Sequence, residues 1–192
     1  LKRGLTISLR MRNNKTYFYT RRARFNQIIR EGRADSKEAA SLFYYLNRTC
    51  YNGLCRFNSK GEFNVPFGSY KKLTYKTDFS EYVPAFAQWD FMCMDFDALP
   101  LDANDFIYAD PPYDVEFTQY SKDAFGWDEQ VRLAEGLARH RGPVVLSNQA
   151  TERIQRLYRK LGFSISILDA PRMINCTGDR TPAREVLAVR NL

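Results

Sequence analysis

Residues 15 to 31, KTYFYTRRARFNQIIRE, repeat aromatic and aliphatic side chains at helical spacing, and Gly32 follows as a stop signal. Asp35 with Glu38 three positions on has the form of a capping box. It would open SKEAASLFYYLNR, in which Ala39, Leu42, Phe43 and Leu46 share one face. The next stretch, TCYNGLCRFNSKGEFNVPFGSYKK, has little periodicity and many Gly and Asn residues. It predicts an ordered loop or a hairpin with its tip near SKGE.

From about residue 89 short apolar runs alternate with helical patterns, the signature of an α/β layer with a parallel sheet. DFMCM, DFIYA, PVVLSN, FSISIL and EVLAVRN are the candidate strands. Helices are predicted over 127–141 and 151–161, the second capped by Thr151 and stopped by Gly162. Gly136 disfavours the first of these by about 1 kcal/mol relative to Ala. The change of pattern divides the chain into a helical and hairpin part, 1–88, and an α/β part, 89–192.

Composition narrows the class. At 192 residues the chain holds one good core and at most a second small unit. Its 44% hydrophobic and 15% aromatic content argues against disorder, and no apolar run approaches a membrane-spanning length. Lys2, Arg3, Arg10 and Arg12 interrupt any secretory signal pattern near the start, so a soluble cytoplasmic protein is expected. Cys50, Cys55, Cys93 and Cys176 are scattered and His140 is the single histidine, which predicts reduced thiols and no metal centre. The net charge of +7 is uneven: residues 1–72 carry 16 Lys and Arg against 4 acids, residues 73–192 carry 13 against 18. Aromatics and small polar residues lie among the basic ones, as on a surface that faces nucleic acid.

The chemistry concentrates at IYADPPYDV, residues 107–115. In open α/β sheets ligands bind beyond the carboxyl ends of the strands, where Asp95, Asp110, Ser147 and Asn148 all fall. Asp110 cannot lead into a helix, because Pro111 and Pro112 each lack an amide donor and push the preceding residue toward extended geometry. A stiff turn with exposed carbonyls results. One carboxylate and one proline carbonyl can accept the hydrogens of a planar amine while the Tyr113 ring stacks on the aromatic system that carries it. Such an amine is a poor nucleophile, and two aimed acceptors favour its pyramidalisation toward an electrophile. The plain alternative is a strand end with a tight turn.

The Asp-Pro-Pro-Tyr motif resembles that of the Dam family of adenine-specific DNA methyltransferases, the D12 class. Residues 46–72, LNRTCYNGLCRFNSKGEFNVPFGSYKK, are similar to that family's target-recognition segment, and VVLSN and REVLAV extend the likeness over nearly the whole chain. The resemblance implies a Rossmann-like, S-adenosylmethionine-dependent methyltransferase sheet with a small helical and hairpin DNA-recognition domain, acting as a monomer on double-stranded DNA, with GATC a candidate target. Asp110, Pro111, Pro112 and Tyr113 would hold a flipped-out adenine, since the reacting amine is inaccessible inside the stack. Asp95 and Phe96 would hold the adenine end of the cofactor, with Asp110 near its methionine end. Tyr51 would insert into the base stack, Asn52 contact the backbone, Leu54 and Pro66 touch bases, and Arg56 read guanine. Arg48, Lys71 and Lys72 would contact phosphates, and Tyr120 would cover the flipped base. Ser69 stands where relatives often carry arginine. The family's Phe-x-Gly-x-Gly cofactor loop is not found in the sequence, so the alternative is a DNA-binding remnant without catalysis. An RNA or protein amide methyltransferase would share the Pro-Pro-aromatic logic but leave the recognition segment unexplained.

Overall fold

The computed structural model describes residues 9–114, 125–170 and 183–192. The chain divides into two compact units, Leu1–Met92 and Cys93–Leu192.

In the first unit α1 spans Lys15–Arg30 and α2 spans Lys37–Thr49. Asn14 caps α1 by accepting from the Tyr17 amide at 2.9 Å, and Gly32 takes the left-handed φ of 70° just past its end. The cap of α2 is Ser36, whose Oγ accepts from the Ala39 amide at 3.1 Å, and not the expected Asp35. The helix begins one residue later than the capping-box reading requires, so Glu38 sits in the second helical position. There it accepts from Arg24 of α1 at 2.8 and 3.0 Å and ties the two helices together. Ala39, Leu42, Tyr45 and Leu46 of α2 pack on Phe18, Phe25 and Ile28 of α1, with Phe63 and Val65 completing the core.

The segment that supplies Phe63 and Val65 has almost no ladder of its own, and α1 side chains take the place of a neighbouring strand. Asn26 donates to the Phe63 carbonyl at 3.1 Å and accepts from its amide at 2.8 Å, and Arg22 donates to the Val65 carbonyl at 2.9 Å. The hairpin is present, with Phe57 bridged to Phe63 and Asn58 Oδ1 accepting from the amides of Lys60 and Glu62. Gly61, at φ 72°, turns the tip where SKGE placed it. A short helix, α3, follows at Val83–Ala87.

The second unit is a four-stranded sheet in the order β1-β2-β4-β3. β1 (Ile107–Ala109) lies parallel to β2 (Val144–Gln149), joined through α4 (Trp127–Arg139). α5 (Glu152–Lys160) follows, capped by Thr151 and ended by Gly162 at φ 80°, and then come β3 (Ser164–Ala170) and β4 (Ala183–Arg190). Ala134, Leu137, Val144, Leu146, Ile154, Tyr158, Phe163, Val186 and Ala188 form its core.

Two expectations change. The sheet is mixed, because β4 runs antiparallel to both β2 and β3. Alternation of apolar and polar residues marks a strand but carries no direction. DFMCM is not a strand: Phe91, Met92 and Met94 are exposed, and among the described residues no strand runs beside 90–94 to pair its backbone.

Ser36→Ala is expected to destabilise the first unit by about 1 kcal/mol in denaturant titration, through loss of a helix cap. Asp35→Ala, at an exposed position, should stay within about 0.5 kcal/mol of the parent. Equal effects would contradict the assignment of the cap.

Candidate active site and nucleic-acid interface

β1 ends at Ala109, and the register that pairs Ala109 with Leu146 brings Ser147, one residue further along β2, beside Asp110. Ser147 Oγ donates to Asp110 Oδ1 at 2.7 Å. Among the described residues no donor reaches Asp110 Oδ2 or the Pro111 carbonyl. The Pro112 carbonyl is different: Gln130 Nε2 of α4 donates to it at 2.7 Å. Of the two proline carbonyls that the sequence offered as amine acceptors, only that of Pro111 therefore stays open.

Past the prolines the chain dives inward. The Asp114 amide donates to Asn148 Oδ1 at 2.8 Å, and its buried carboxylate accepts from Thr151 Oγ1 at 2.8 Å and from Arg153 Nε at 2.7 Å. A buried carboxylate is tolerable only with such partners. Between these anchors the Tyr113 ring is half-buried and its hydroxyl donates to Glu185 Oε2 of β4 at 3.4 Å. Burial pushes that hydroxyl above its ordinary value, Ser147 opposes the shift, and the charges of Glu185 and Asp110 add to it.

A hollow of about 540 Å³ opens beside this turn, lined by Phe96, Leu99, Tyr108, Asp110 and Pro111 together with one face of α4. Its volume falls within the range of small-molecule sites, roughly 300–1,000 Å³. Asp110 and Phe96, predicted for the cofactor, thus border one space. Asp95 stands just outside the lining as the cap of the turn Phe96–Ala98, its Oδ1 accepting from the Asp97 amide at 2.9 Å. Arg132 of α4 grips both Asp95 oxygens at 2.9 Å, pairs with Asp97 and Glu129, and lays its guanidinium 4.0 Å from the centre of the Phe96 ring. The Arg132 hydrogen bonds, followed by that from the Asp97 amide, hold the Asp95 carboxyl down at about 2.

In the first unit the segment expected to contact DNA is braced at its base. The Tyr51 amide donates to the Pro66 carbonyl at 2.9 Å and the Gly68 amide to the Thr49 carbonyl at 2.9 Å. These bonds bring Tyr51 and Pro66, both exposed, side by side. Asn52 is exposed in the left-handed region at φ 52° and leads into the turn at Gly53. Leu54 leans against the core, so only part of its side chain is available to a ligand. Arg56 is exposed on the hairpin, its Nε held by Asn64 Oδ1 at 2.7 Å. Arg48 donates from Nε and from one terminal nitrogen to the Thr74 carbonyl, a structural task beside any phosphate contact. Lys71 and Lys72 are exposed. Tyr120 lies outside the described residues.

Several participants carry no expected role. Gln130, Arg132 and Asn64 hold the expected residues in place, and Asn148 was visible only as a polar group at a strand end. For Gln130 a signal existed: it falls on the same helical face as Trp127, Ala134 and Leu137, a polar residue where burial was due. Among the described residues no cluster of His, Cys, Asp and Glu could hold a metal ion, and no helix is long and apolar enough to cross a membrane.

The mixed α/β sheet with an acidic Pro-Pro-Tyr turn at its carboxyl edge is consistent with a methyltransferase fold. Residues 4–174 match the D12 class N6 adenine-specific DNA methyltransferase family, and the chain belongs to it. It is 36% identical over 187 residues to the Type II methyltransferase M.MjaIII of Methanocaldococcus jannaschii, covering 91% of this chain and 63% of that protein. It is 36% identical over 190 residues to a DNA adenine methylase of Vibrio cholerae, covering 92% and 66%, and 35% identical over 184 residues to the Retron Ec67 DNA adenine methylase of Escherichia coli, covering 92% and 63%. The chain thus spans slightly less than two thirds of the length of these relatives.

The Asp95 carboxyl should titrate at about 2 by NMR and move up toward the ordinary aspartate value of 3.8 in Arg132→Gln. Because the folded value is the lower one, the stabilisation is complete above 3.8 and is lost as pH falls through about 2. Arg132→Gln should therefore flatten the acid limb of the stability profile. An unchanged Asp95 titration would refute the clamp.

Proposed function

We propose that the protein transfers a methyl group from S-adenosylmethionine to the exocyclic amine of adenine in double-stranded DNA, with GATC as the candidate target. The observation that carries this reading is the pair of open acceptors, Asp110 Oδ2 and the Pro111 carbonyl, on a turn where Asp110 Oδ1 and the Pro112 carbonyl are already engaged. S-Adenosylmethionine supplies an electrophilic methyl carbon on a sulfonium. The hollow suits such a molecule: Phe96, Leu99 and Tyr108 offer apolar surface to a nucleoside, and the Asp110 carboxylate offers a negative charge to its cationic end. Family membership supports the same assignment.

In this mechanism Asp110 Oδ2 and the Pro111 carbonyl accept the two amine hydrogens, and the Tyr113 ring stacks on the extruded base. Both contacts draw electron density toward the amine nitrogen as it attacks. S-Adenosylmethionine held in the hollow would supply the methyl carbon, its sulfonium keeping the C–S pair and leaving as a thioether, while Asp110 Oδ2 takes the amine proton and passes it to solvent. Pro112 serves through its locked φ and its tie to Gln130, not as an acceptor.

Residues 1–88 form the DNA-recognition domain in this reading, and 89–192 the catalytic one. Arg56, oriented by Asn64, presents its remaining donors to guanine. Tyr51 and Pro66 supply the adjoining aromatic and apolar contacts, with Leu54 behind them and Asn52 at the backbone. Arg48, Lys71 and Lys72 meet phosphates, which position the protein without reading sequence. The protein works as a monomer in the cytoplasm. A second reading, DNA binding without transfer, draws on the full engagement of Asp95 by Arg132. It predicts salt-sensitive DNA binding with no rise in melting temperature on adding S-adenosylmethionine.

Labelled methyl incorporation into GATC duplexes is the test. Asp110→Ala should lose at least about 100-fold in rate, as removal of a preorganised electrostatic group does, without loss of fold. A folded, cofactor-binding parent that incorporates no label on any adenine-containing duplex would refute transfer. Arg56→Ala should keep the chemistry but narrow the preference over single-base variants of the target by about 1–3 kcal/mol. Uniform weakening on all duplexes would instead make Arg56 a phosphate contact.

A further inference from the structure

The proline turn is held by a chain of side chains whose hydrogen-bond direction is fixed at both ends. Asn148, with no exposed surface, accepts at Oδ1 from the amides of Asp114 and Gln149, each at 2.8 Å. Main-chain N–H groups only donate, so Asn148 must turn its Nδ2 the other way. That nitrogen donates to Gln130 Oε1 at 2.9 Å and to the Tyr158 hydroxyl at 3.0 Å. Gln130, 2% exposed, is thereby forced to aim Nε2 at the Pro112 carbonyl, which accepts at 2.7 Å. Neither amide can flip without setting oxygen against oxygen or nitrogen against N–H.

We propose that Gln130 is a positioning residue for the transfer, acting through the Pro112 carbonyl to aim the Pro111 carbonyl at the substrate amine. This rests on the methyltransferase reading above and goes beyond it. The proline rings fix φ at both positions, leaving two ψ rotations to direct the carbonyls. Ser147 pins the Asp110 carboxylate before the pair and Gln130 pins the second carbonyl after it. With both ends held, the Pro111 carbonyl is restricted in direction, and Pro111 lines the hollow next to Asp110. Gln130 also occupies the second proline carbonyl, so an amine in the site meets Pro111 and not Pro112.

The full protein is compared with Gln130→Met, Gln130→Glu and, as a control for lost packing in the same unit, Ile154→Val. Steady-state kinetics are read at equal folded fractions. Gln130→Met should lose about 10–100-fold in kcat, the scale of a small misplacement of a reacting group, with KM for DNA and for S-adenosylmethionine within about twofold of the parent. Ile154→Val should lower the melting temperature with little change in kcat. Gln130→Glu gives the distinguishing signature. Its carboxylate would face the Pro112 carbonyl with no proton, whereas the protonated acid can donate as the amide does. Burial raises the pKa of such a group, so kcat of Gln130→Glu relative to the parent should recover as pH falls from about 8 to about 6. A Gln130→Met enzyme with parental kcat, or a Gln130→Glu ratio flat with pH, would overturn the proposal. A parent with no transferase activity would fail the methyltransferase reading instead. Amide exchange at Asp114 then decides the lock, with exchange at least about tenfold faster in Gln130→Met expected and parental rates overturning it.

Discussion

A turn made of two consecutive prolines cannot hold itself, and the architecture of the second unit answers that constraint. The turn has no amide donors of its own between Asp110 and Tyr113, so neighbouring elements must supply them. Ser147 reaches Asp110 from β2, Gln130 reaches Pro112 from α4, and Asn148 receives the first amide available after Tyr113, that of Asp114. Each comes from an element packed in the core, which is why a segment that looks like a loop is stiff. The parallel pairing of β1 with β2 is what sets Ser147 and Asn148 beside it.

The first unit meets a similar difficulty in the same way. Its recognition segment has isolated bridges in place of a sheet, and helix side chains substitute for the missing strand. Asn26 mimics a neighbouring backbone at Phe63, donating and accepting as a peptide unit does, and Arg22 does half of this at Val65. Phe63 and Val65 then plug the helix pair, and Asn64 between them faces the other way and accepts from Arg56. Exposure of Pro66 follows from burial of Val65 before it, whereas Arg56 stands in a run, Cys55 to Phe57, that is exposed throughout.

The helices were legible because their apolar spacing and stop signals agree, as at Gly32 and Gly162, and the strands β1 to β4 because short apolar runs alternate with them. The cap of α2 was misplaced by one residue because Asp35 and Ser36 both suit the role and only backbone geometry chooses between them. Strand direction at β4, and the lack of a strand at 90–94 among the described residues, depend on neighbours distant in sequence, which local pattern does not contain. In the candidate site, Asp110 and the proline pair stood out by composition. The residues that hold them did not, because Gln130 and Asn148 act by hydrogen-bond direction across elements, and Arg132 by gathering three carboxylates that look unrelated along the chain.

The placement of β4 has a consequence for how the molecule is made. Among the described strands it alone joins β2 to β3, and it also carries Glu185, the partner of Tyr113. On the ribosome it is the last of the four to emerge. Until then β3 lacks its ladder and the Tyr113 hydroxyl lacks Glu185, while the basic first unit has already been synthesised. Closing of the sheet and engagement of the Tyr113 hydroxyl therefore become one event.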